Sequence, residues 1–529
     1  MTATFSLKFL GHAGIILQAS GVTLLCDPWV SESGAFLHSW HQFPPNDFIE
    51  WQSLYNADYL YISHDHDDHF DKDFLKDFPK HKVTVIIADF LSDSFAREIA
   101  DLGFPRIWYL KDWEECNLAD GLSVVLVKDQ SLYKIDSTLL IKVGNTNILH
   151  KNDCHIPDED IPKYKDYGID ILCAQFSGAM WYPATYDYET KKQQQVAAKI
   201  KQDMINSFVD FANRISAKQI FHCAGPACFL EDELFHLNFQ ENSIFHDQWD
   251  VYPELSERLN GNLHLPLPGD DVVLSPDQEI QISRQYTGLD FSQKALLLDK
   301  YKHKRTPLIQ SYLSSLPQPS HNFVQEFAEY IQQLFCKSDY LTNKVNALVK
   351  FTLTSTNGGC VYIDSRDQHF AVKQSSTETP NYEFTIPVAI ANLLVKGEEQ
   401  WEDLFLSMRF TAKRKPDIYN WPLFAVLRYG NEPKLIAQIE NVMRAAENEK
   451  ILVRDECQKY QVQRYCPHAG ADLTHAKIQD SKLICPRHHW AFDLRSQGKC
   501  VSGGNITLKV YDSTESLENI LQGVKDSLI

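Results

Sequence analysis

The stretch Ile62 to Phe70, ISHDHDDHF, sets three histidines and three aspartates into the six positions from His64 to His69. Imidazole and carboxylate at that density are metal ligands rather than scattered surface or helix-capping groups. Four of them, His64, His66, Asp68 and His69, follow the spacing H-x-H-x-D-H. A cage of this kind serves two chemistries. It holds zinc for attack by an activated water, and it equally holds non-haem iron for oxygen chemistry.

For several side chains to converge on one point, a rigid element must end where a loop begins, and DYLYIS directly before the run reads as such a strand. It is one of many. From residue 5 to about 155, short apolar runs bounded by turn residues (FSLKFLG, GIILQA, VTLLCDP, VTVIIAD, LSVVLV, STLLIKV, TNILHKND) predict strands, with helical stretches such as FLSDSFAREIADLG between them. Thr190 to about Lys218 carries Val196, Ile200, Ile205, Phe208 and Ile215 on one stripe, an amphipathic helix that leads into the strand QIFHC. The Pro-, Gly- and Asp-rich stretch around PLPGDD marks a boundary, giving a layered α/β domain over residues 1–265. Residues 266–445 predict a middle α+β domain, weakly similar to sterol-carrier folds through YEFTIP, WEDLFLS and RKPDIYN, and residues 446–529 return to short strands before a C-terminal helix. Three domains suit 529 residues.

The net charge of −19 repels nucleic acid and anionic membranes, and no apolar run approaches the roughly 20 residues that span a bilayer. The start lacks the basic-then-apolar pattern of a secretory leader, and the 12 cysteines are spread along the chain rather than packed for disulfides. A cytoplasmic protein with no nucleic-acid partner and no membrane span is expected; a homo-oligomer stays open.

The metal run, together with FLGHAGIIL and LLCDPW near the start, resembles the metallo-β-lactamase superfamily and its lactonase-like branch over about residues 5–230. The resemblance implies an αβ/βα sandwich with metals at the strand ends. It places His64 and His66 at one metal and Asp68 with His69 at a second. Asp153, in ILHKND with Asn152 where the family has Gly, bridges the two, and His222 in IFHCAG is the late histidine. Asp68, His69 and Asp153 then carry the catalytic role. One ligand is missing: VVLVKDQSLYKIDS contains no histidine where the family has its middle one. Asp129 could substitute, giving an oxygen-rich site that favours iron over zinc. His150 and His155 flank Asp153, and His12 and Asp27 lie at family positions beneath the site; packing or hydrogen bonding is the simpler role for all four.

Near the C-terminus, Cys466-x-His468, sixteen intervening residues, then Cys485-x-x-His488 is the ligand spacing of a [2Fe-2S] centre with two thiolates on one iron and two imidazoles on the other. The flanking PHAGADL, Trp490 and FDL resemble the Rieske domain, in its oxygenase form rather than the disulfide-bearing respiratory form. His489 stands where that form has Gly, and Cys500 lies outside the ligand pattern. A zinc ribbon is the plainer use of paired ligands and lacks those flanks.

A hydrolase needs no electrons, whereas a tethered one-electron relay has a purpose if the first metal changes oxidation state. The two modules together resemble the CMP-N-acetylneuraminate hydroxylases, in which they come in the reverse order. FSGAMWYP and CAGPACFL also look like segments of that family, with Trp181 and Tyr182 as pocket or core aromatics. The expectation is a Rieske-dependent monooxygenase. Its [2Fe-2S] cluster feeds a mono- or dinuclear non-haem iron site that uses O2 to hydroxylate a small organic substrate. No flavin or dinucleotide fingerprint appears, so a ferredoxin, reductase or cytochrome must donate the electrons. The alternatives are a zinc metallo-hydrolase with a structural or regulatory cluster, an O2 or NO reductase of flavo-diiron type, and a plain electron carrier. Arg409, Lys413, Arg414 and Lys415 could meet a phosphate, or simply be surface charge.

Overall fold

The computed structural model describes residues 5–129, 135–239, 241, 243–274, 280–287, 289–355, 358–446, 449–455, 458–467, 471–486, 489–502 and 507–511. The apolar runs of the N-terminal part form two facing sheets. The first has eight strands in the order Ile280–Ser283, Asp271–Leu274, Phe5–Gly11, Gly14–Ala19, Val22–Cys26, Tyr59–Tyr61, Thr84–Ala88, Ile107–Leu110. The second has seven, in the order Asn262–His264, Gln219–Cys223, Ile171–Gln175, Thr146–Asn152, Ser137–Val143, Leu122–Lys128, Glu114–Ala119. Strands with apolar residues on both faces must be covered on both sides. Leu7, Leu17, Leu24 and Ile86 meet Leu126, Ile141, Ile148 and Phe221 between the sheets. Phe74 and Ile99, on helices Lys72–Lys76 and Ser94–Asp101, cover the outside of one sheet, and Phe208 and Ala212, on helix Thr190–Ile215, cover the other. The result is an αβ/βα sandwich.

The expected boundary at residue 265 falls inside this domain. Asp271–Leu274 pairs antiparallel with Phe5–Gly11, Leu7 opposite Val272, and Ile280–Ser283 adds a further strand. PLPGDD is the turn that brings the chain back to the sheet edge, with the Gly269 amide donating to the Phe9 carbonyl at 2.7 Å.

A five-stranded sheet follows, ordered Ala371–Lys373, Gly359–Asp364, Leu348–Thr354, Tyr382–Pro387, Thr411–Arg414, packed by helices Phe323–Phe335, Val388–Lys396, Trp401–Leu406, Trp421–Tyr429 and Pro433–Ala446. The helical pattern from Val388 to Leu406 breaks at Gly397, whose left-handed φ of 69° lets the chain turn. This sheet is not a separate bead. Trp29, Phe36, Trp40, Trp181, Phe229 and Phe245 of the sandwich share one core with Phe327, Trp401, Phe405 and Phe424. Trp181 stacks on Phe405 with centroids 4.7 Å apart. The Ala412 amide donates to Thr185 and the Asp187 amide to Ala412, at 2.8 and 2.9 Å, so a loop of the sandwich lies along the edge of the second sheet.

The C-terminal part is all-β. A three-stranded sheet (Lys450–Asp455, Gln458–Gln463, Val510–Tyr511) and a four-stranded one (Lys477–Gln479, Lys482–Ile484, Ala491–Asp493, Lys499–Cys500) enclose Val462, Leu473, Leu483, Phe492 and Leu508. The expected C-terminal helix lies outside the described residues. Among those residues no helix is long and apolar enough to cross a membrane.

Candidate metal centre and cluster loops

Strand Tyr59–Tyr61 ends where the histidine run begins, and its turns gather the side chains. His69 Nε2 lies 3.5 Å from Asp153 Oδ1, and His64 Nε2 lies 3.9 Å from Asp153 Oδ2. Asp153 thus stands between two imidazoles. Asp68 Oδ2 is 3.9 Å from His69 Nε2 and 2.9 Å from His12 Nε2. His64, His69 and Asp153 form one group whose ligand atoms all lie within 4.8 Å of one another; His12, Asp68 and His69 form another. His12 therefore joins the ligand set, beyond the packing role expected of it.

Asp153 reaches this point because Asn152 before it has a left-handed φ of 46°. That conformation suits Gly or Asn, which accounts for Asn where the family has Gly. Asn152 then donates from Nδ2 to Asp27 Oδ2 at 3.1 Å.

Asp27, fully buried, orients the cage from beneath. Its Oδ1 accepts from the Ser63 amide at 2.8 Å, while its Oδ2 sits 3.0 Å from His150 Nε2 and 3.4 Å from His69 Nδ1. Burial works against its charge, but the bonds from His150 and His69 hold its carboxyl far below the usual range. A carboxylate on Nδ1 leaves Nε2 of His69 as the ligand nitrogen. Asp136 does the same for His64, its Oδ1 lying 3.2 Å from Nδ1. Asp129 is the residue expected in this segment in place of the missing histidine. Asp129 is buried beside Asp136, linked through its backbone amide to the Asp136 carbonyl at 2.8 Å, and it belongs to neither ligand group. The carboxylate that reaches an imidazole is Asp136, pushed up to about 6 by burial against the pull of His64.

His222 does not join the cluster. In strand Gln219–Cys223, Phe221 and Cys223 face the core between the sheets, so alternation turns His222 outward with Ile220. Its ring nitrogens lie 3.1 Å from the His264 carbonyl and 3.0 Å from the Gln248 carbonyl. His150 is likewise committed to Asp27. His155 is half-buried beyond Cys154 and in neither ligand group.

The chemistry of the cage calls for a cation. Among the described residues His69 Nε2, Asp153 Oδ1 and Asp68 Oδ1 are buried with no hydrogen-bond partner, a costly arrangement for three polar atoms. Burial opposes charge on His69, but Asp153 and Asp68 raise it to about 9. His66, half-buried and close to His64, is lowered to about 3 by that partial burial and by the neighbouring imidazole. The residues therefore fit one or two divalent ions, which His12, His64, Asp68, His69 and Asp153 would hold, with His66 beside them. On the open side stand Phe36, 5.7 Å from the His66 ring, and Glu402, whose Oε1 is 3.9 Å from His66 Nε2.

In the C-terminal domain Cys466 and Cys485 are buried in one core at two hairpin turns. The Cys466 amide donates to Ala471 and the Cys485 amide to Trp490, each at 2.8 Å. His468 and His488 lie outside the described residues. His489 adopts a left-handed φ of 54°, which explains why this position favours Gly. Cys500 is a buried thiol of the same core. Tyr465, Cys466 and Pro467 face the middle domain across a cavity of about 480 Å³ lined by Tyr382, Tyr419 and Trp421. Among the aromatics singled out from sequence, Trp181 is core. The basic residues are engaged: Arg409 with Glu231, Lys413 with Asp187 at 3.4 Å and Arg414 with Asp417 at 2.6 Å; the Lys415 amide bonds Asn381 at 2.8 Å.

A sandwich with a histidine and carboxylate cage at its strand ends, joined to an all-β domain with paired Cys/His loops, defines a metallo-β-lactamase-fold protein fused to a Rieske domain. Residues 6–206 match the Beta-lactamase superfamily domain, residues 323–442 an Rv3818-like, SCP2-like domain, and residues 434–512 the Rieske [2Fe-2S] domain. A Mycolicibacterium smegmatis protein that carries the name Rieske 2Fe-2S iron-sulfur protein is 25% identical, the alignment spanning 93% of this chain and 97% of that one. The cytidine monophosphate-N-acetylneuraminic acid hydroxylase of Cricetulus griseus is 21% identical over 78% of this chain and 73% of its own. Among solved structures, CmlA, a diiron beta-hydroxylase from Streptomyces venezuelae, matches at 16% identity and a TM-score of 0.34 over 51% of this chain and 54% of its own, too loose a likeness to carry an argument.

Proposed function

We propose that this chain is a Rieske-dependent non-haem iron oxygenase that hydroxylates a small organic substrate. The balance is R–H with O2, two electrons and two protons giving R–OH and water, the electrons coming from an external donor such as a ferredoxin, a reductase or a cytochrome. The observation that carries the reading is the presence, in one chain, of a buried histidine and carboxylate cage and a Rieske domain whose Cys466 loop faces the domain packed against that cage. The hydroxylase relative supports the same reaction class.

Iron bound in the cage would supply O2 activation, and the cluster single electrons from a potential of roughly −150 to +300 mV. The chain's own residues do the rest. Asp27 and Asp136 fix the ligand faces of His69 and His64. Asp68 and Asp153 balance the charge of the ions. Trp29 beside His12 and Phe36 beside His66 give the cage apolar neighbours, and His66 with Glu402 bounds its open side. A set of imidazoles and carboxylates without a thiolate serves non-haem iron and zinc alike, so it is the Rieske domain in the same chain that favours iron.

The test is metal analysis with electron paramagnetic resonance on anaerobically prepared protein. Cys466→Ser is expected to lose the rhombic signal of the reduced cluster, while Asp68→Ala keeps that signal and loses separate iron. Stoichiometric zinc with full turnover under argon would establish a hydrolase instead, and reductant consumption at full rate without any organic substrate would establish an O2 or NO reductase.

A further inference from the structure

The sandwich lacks the histidine expected between Val124 and Ser137, Asp129 belongs to neither tight ligand group, and Asp136 faces Nδ1 of His64 rather than its ligand nitrogen. His66, meanwhile, belongs to neither tight ligand group within the sandwich. Its Nε2 faces Glu402 Oε1 at 3.9 Å. Glu402 comes from a different domain, the first turn of helix Trp401–Leu406.

That helix is held against the cage from several sides. Trp401, Leu404, Phe405 and Leu406 are buried in the shared core, and Gln400 with Asp403 closes a reciprocal cap on its first turn. The loop that carries Phe36 over His66 is bonded to the helix's far end: Trp40 Nε1 donates to the Leu406 carbonyl at 2.6 Å, and Ser39 Oγ to the Ser407 carbonyl at 2.8 Å. Arg428, on the neighbouring helix Trp421–Tyr429, pairs with Glu402 Oε2 and turns Oε1 towards the histidine. Two ligands of one ion, each about 2.1 Å from it, can stand at most about 4.2 Å apart. The Glu402–His66 separation lies within that limit.

We propose that Glu402 is a metal ligand supplied by the middle domain, sharing with His66 the ion at the first position of the cage and filling the place of the absent histidine. The site is then complete only when the two domains are docked. With Asp68 and Asp153 it gives three carboxylates for two divalent ions, and Arg428 holds the side chain in its ligating rotamer. The inference rests on a metal occupying the cage and is indifferent to whether that metal activates O2 or water, so it stands or falls separately from the oxygenase reading.

The experiment uses the full-length chain stripped by chelation under argon, with the thermal transition of the sandwich and middle domain as the check on folding, and titrates Fe(II) and, as an optical reporter of coordination number, Co(II). Outer-shell partners of metal ligands are worth about 10–100-fold in affinity, so loss of a ligand is expected to exceed about 100-fold. Glu402→Ala should weaken one of the ions by that much and intensify the Co(II) bands as the coordination number falls. Glu402→Asp should recover part of the affinity, and Arg428→Met, which frees the rotamer but keeps the carboxylate, should weaken binding by clearly less than Glu402→Ala and show the wild-type Co(II) spectrum at saturation. Wild-type affinity and spectrum in Glu402→Ala would overturn the assignment. So would an Arg428→Met protein that matches Glu402→Ala, since the ion pair alone would then account for the effect.

Discussion

Asp27→Asn is the sharpest probe of how the cage is held. The carboxylate receives one donor on Oδ1, the Ser63 amide at 2.8 Å, and three on Oδ2: His150 Nε2 at 3.0 Å, Asn152 Nδ2 at 3.1 Å and His69 Nδ1 at 3.4 Å. An asparagine has one oxygen. Turned towards the three donors, it sets its amide against the Ser63 N–H; turned the other way, it orphans all three. A buried donor left without a partner costs about 1–3 kcal/mol, and breaking a buried charged pair about 3–5 kcal/mol. The sandwich is therefore expected to lose about 3–5 kcal/mol in the metal-free protein, read as a fall in the urea midpoint at unchanged slope. His69 would also lose the group that fixes its ring, which lowers metal affinity by about 10–100-fold, or about 1.4–2.8 kcal/mol. Urea titration by tryptophan fluorescence gives the first number and a competition titration with Fe(II) the second. An unchanged midpoint together with affinity within about twofold of wild type would refute the idea that Asp27 organises the site.

Trp40→Phe keeps the aromatic ring but strands the Leu406 carbonyl, so a loss of about 1–3 kcal/mol in urea is expected, with weakened Fe(II) binding because the helix bearing Glu402 is released; binding at wild-type strength would show that the helix is held by packing alone. Gly34→Ala should cost about 2 kcal/mol or more, since at a φ of 85° the added Cβ would stand 2.5 Å from the Trp40 carbonyl oxygen and 2.9 Å from His41 Cε1; thermal denaturation checks it. Removing the metal with a chelator should lower the melting transition of the sandwich while leaving that of the Rieske domain in place. Ligand held at about 1,000 times its dissociation constant is worth about 4.1 kcal/mol to the part that binds it.

The sequence carried the parts of the site that are local. His64, His66, Asp68 and His69 occupy one strand end, and Cys466 and Cys485 occupy two hairpin turns, so spacing alone defines them. What depends on direction or distance did not show. Asp129 and Asp136 stand at either end of the gap between paired strands, Ser137 opposite Lys128, and only the fold decides which of them turns to His64. His222 was misjudged because strand alternation, not the nearby Gly and Cys, sets the face it occupies. The boundary at residue 265 falls inside the sandwich for a related reason: a turn-rich stretch marks either a linker or a return to the sheet, and DVVL behind it enters the sheet by pairing with Phe5–Gly11 at the far end of the chain. Glu402 was out of reach altogether. It sits in a helix whose pattern reads as core, and nothing in its neighbourhood points to a histidine hundreds of residues away.

The shared core also decides what a domain means here. Trp40, Trp181, Phe229 and Phe245 are each less than a tenth exposed, in a core that they share with side chains of the middle domain. Burying such a side chain is worth about 1.5–3 kcal/mol, so exposing several at once approaches the roughly 5–15 kcal/mol that holds a whole domain together. A fragment ending at residue 283 would keep every strand of both sandwich sheets and still lose this lid, together with the hydrogen bonds from Ser39 and Trp40. It is expected to aggregate or stay loosely packed, and the full chain to unfold its sandwich and middle domain in one calorimetric transition. The Rieske core, which shares no residue with theirs among the described residues, should melt apart from them. A soluble fragment with a sharp transition and full Fe(II) affinity would show that the middle domain merely leans on the sandwich, and the metal centre would then have to be explained from the sandwich alone.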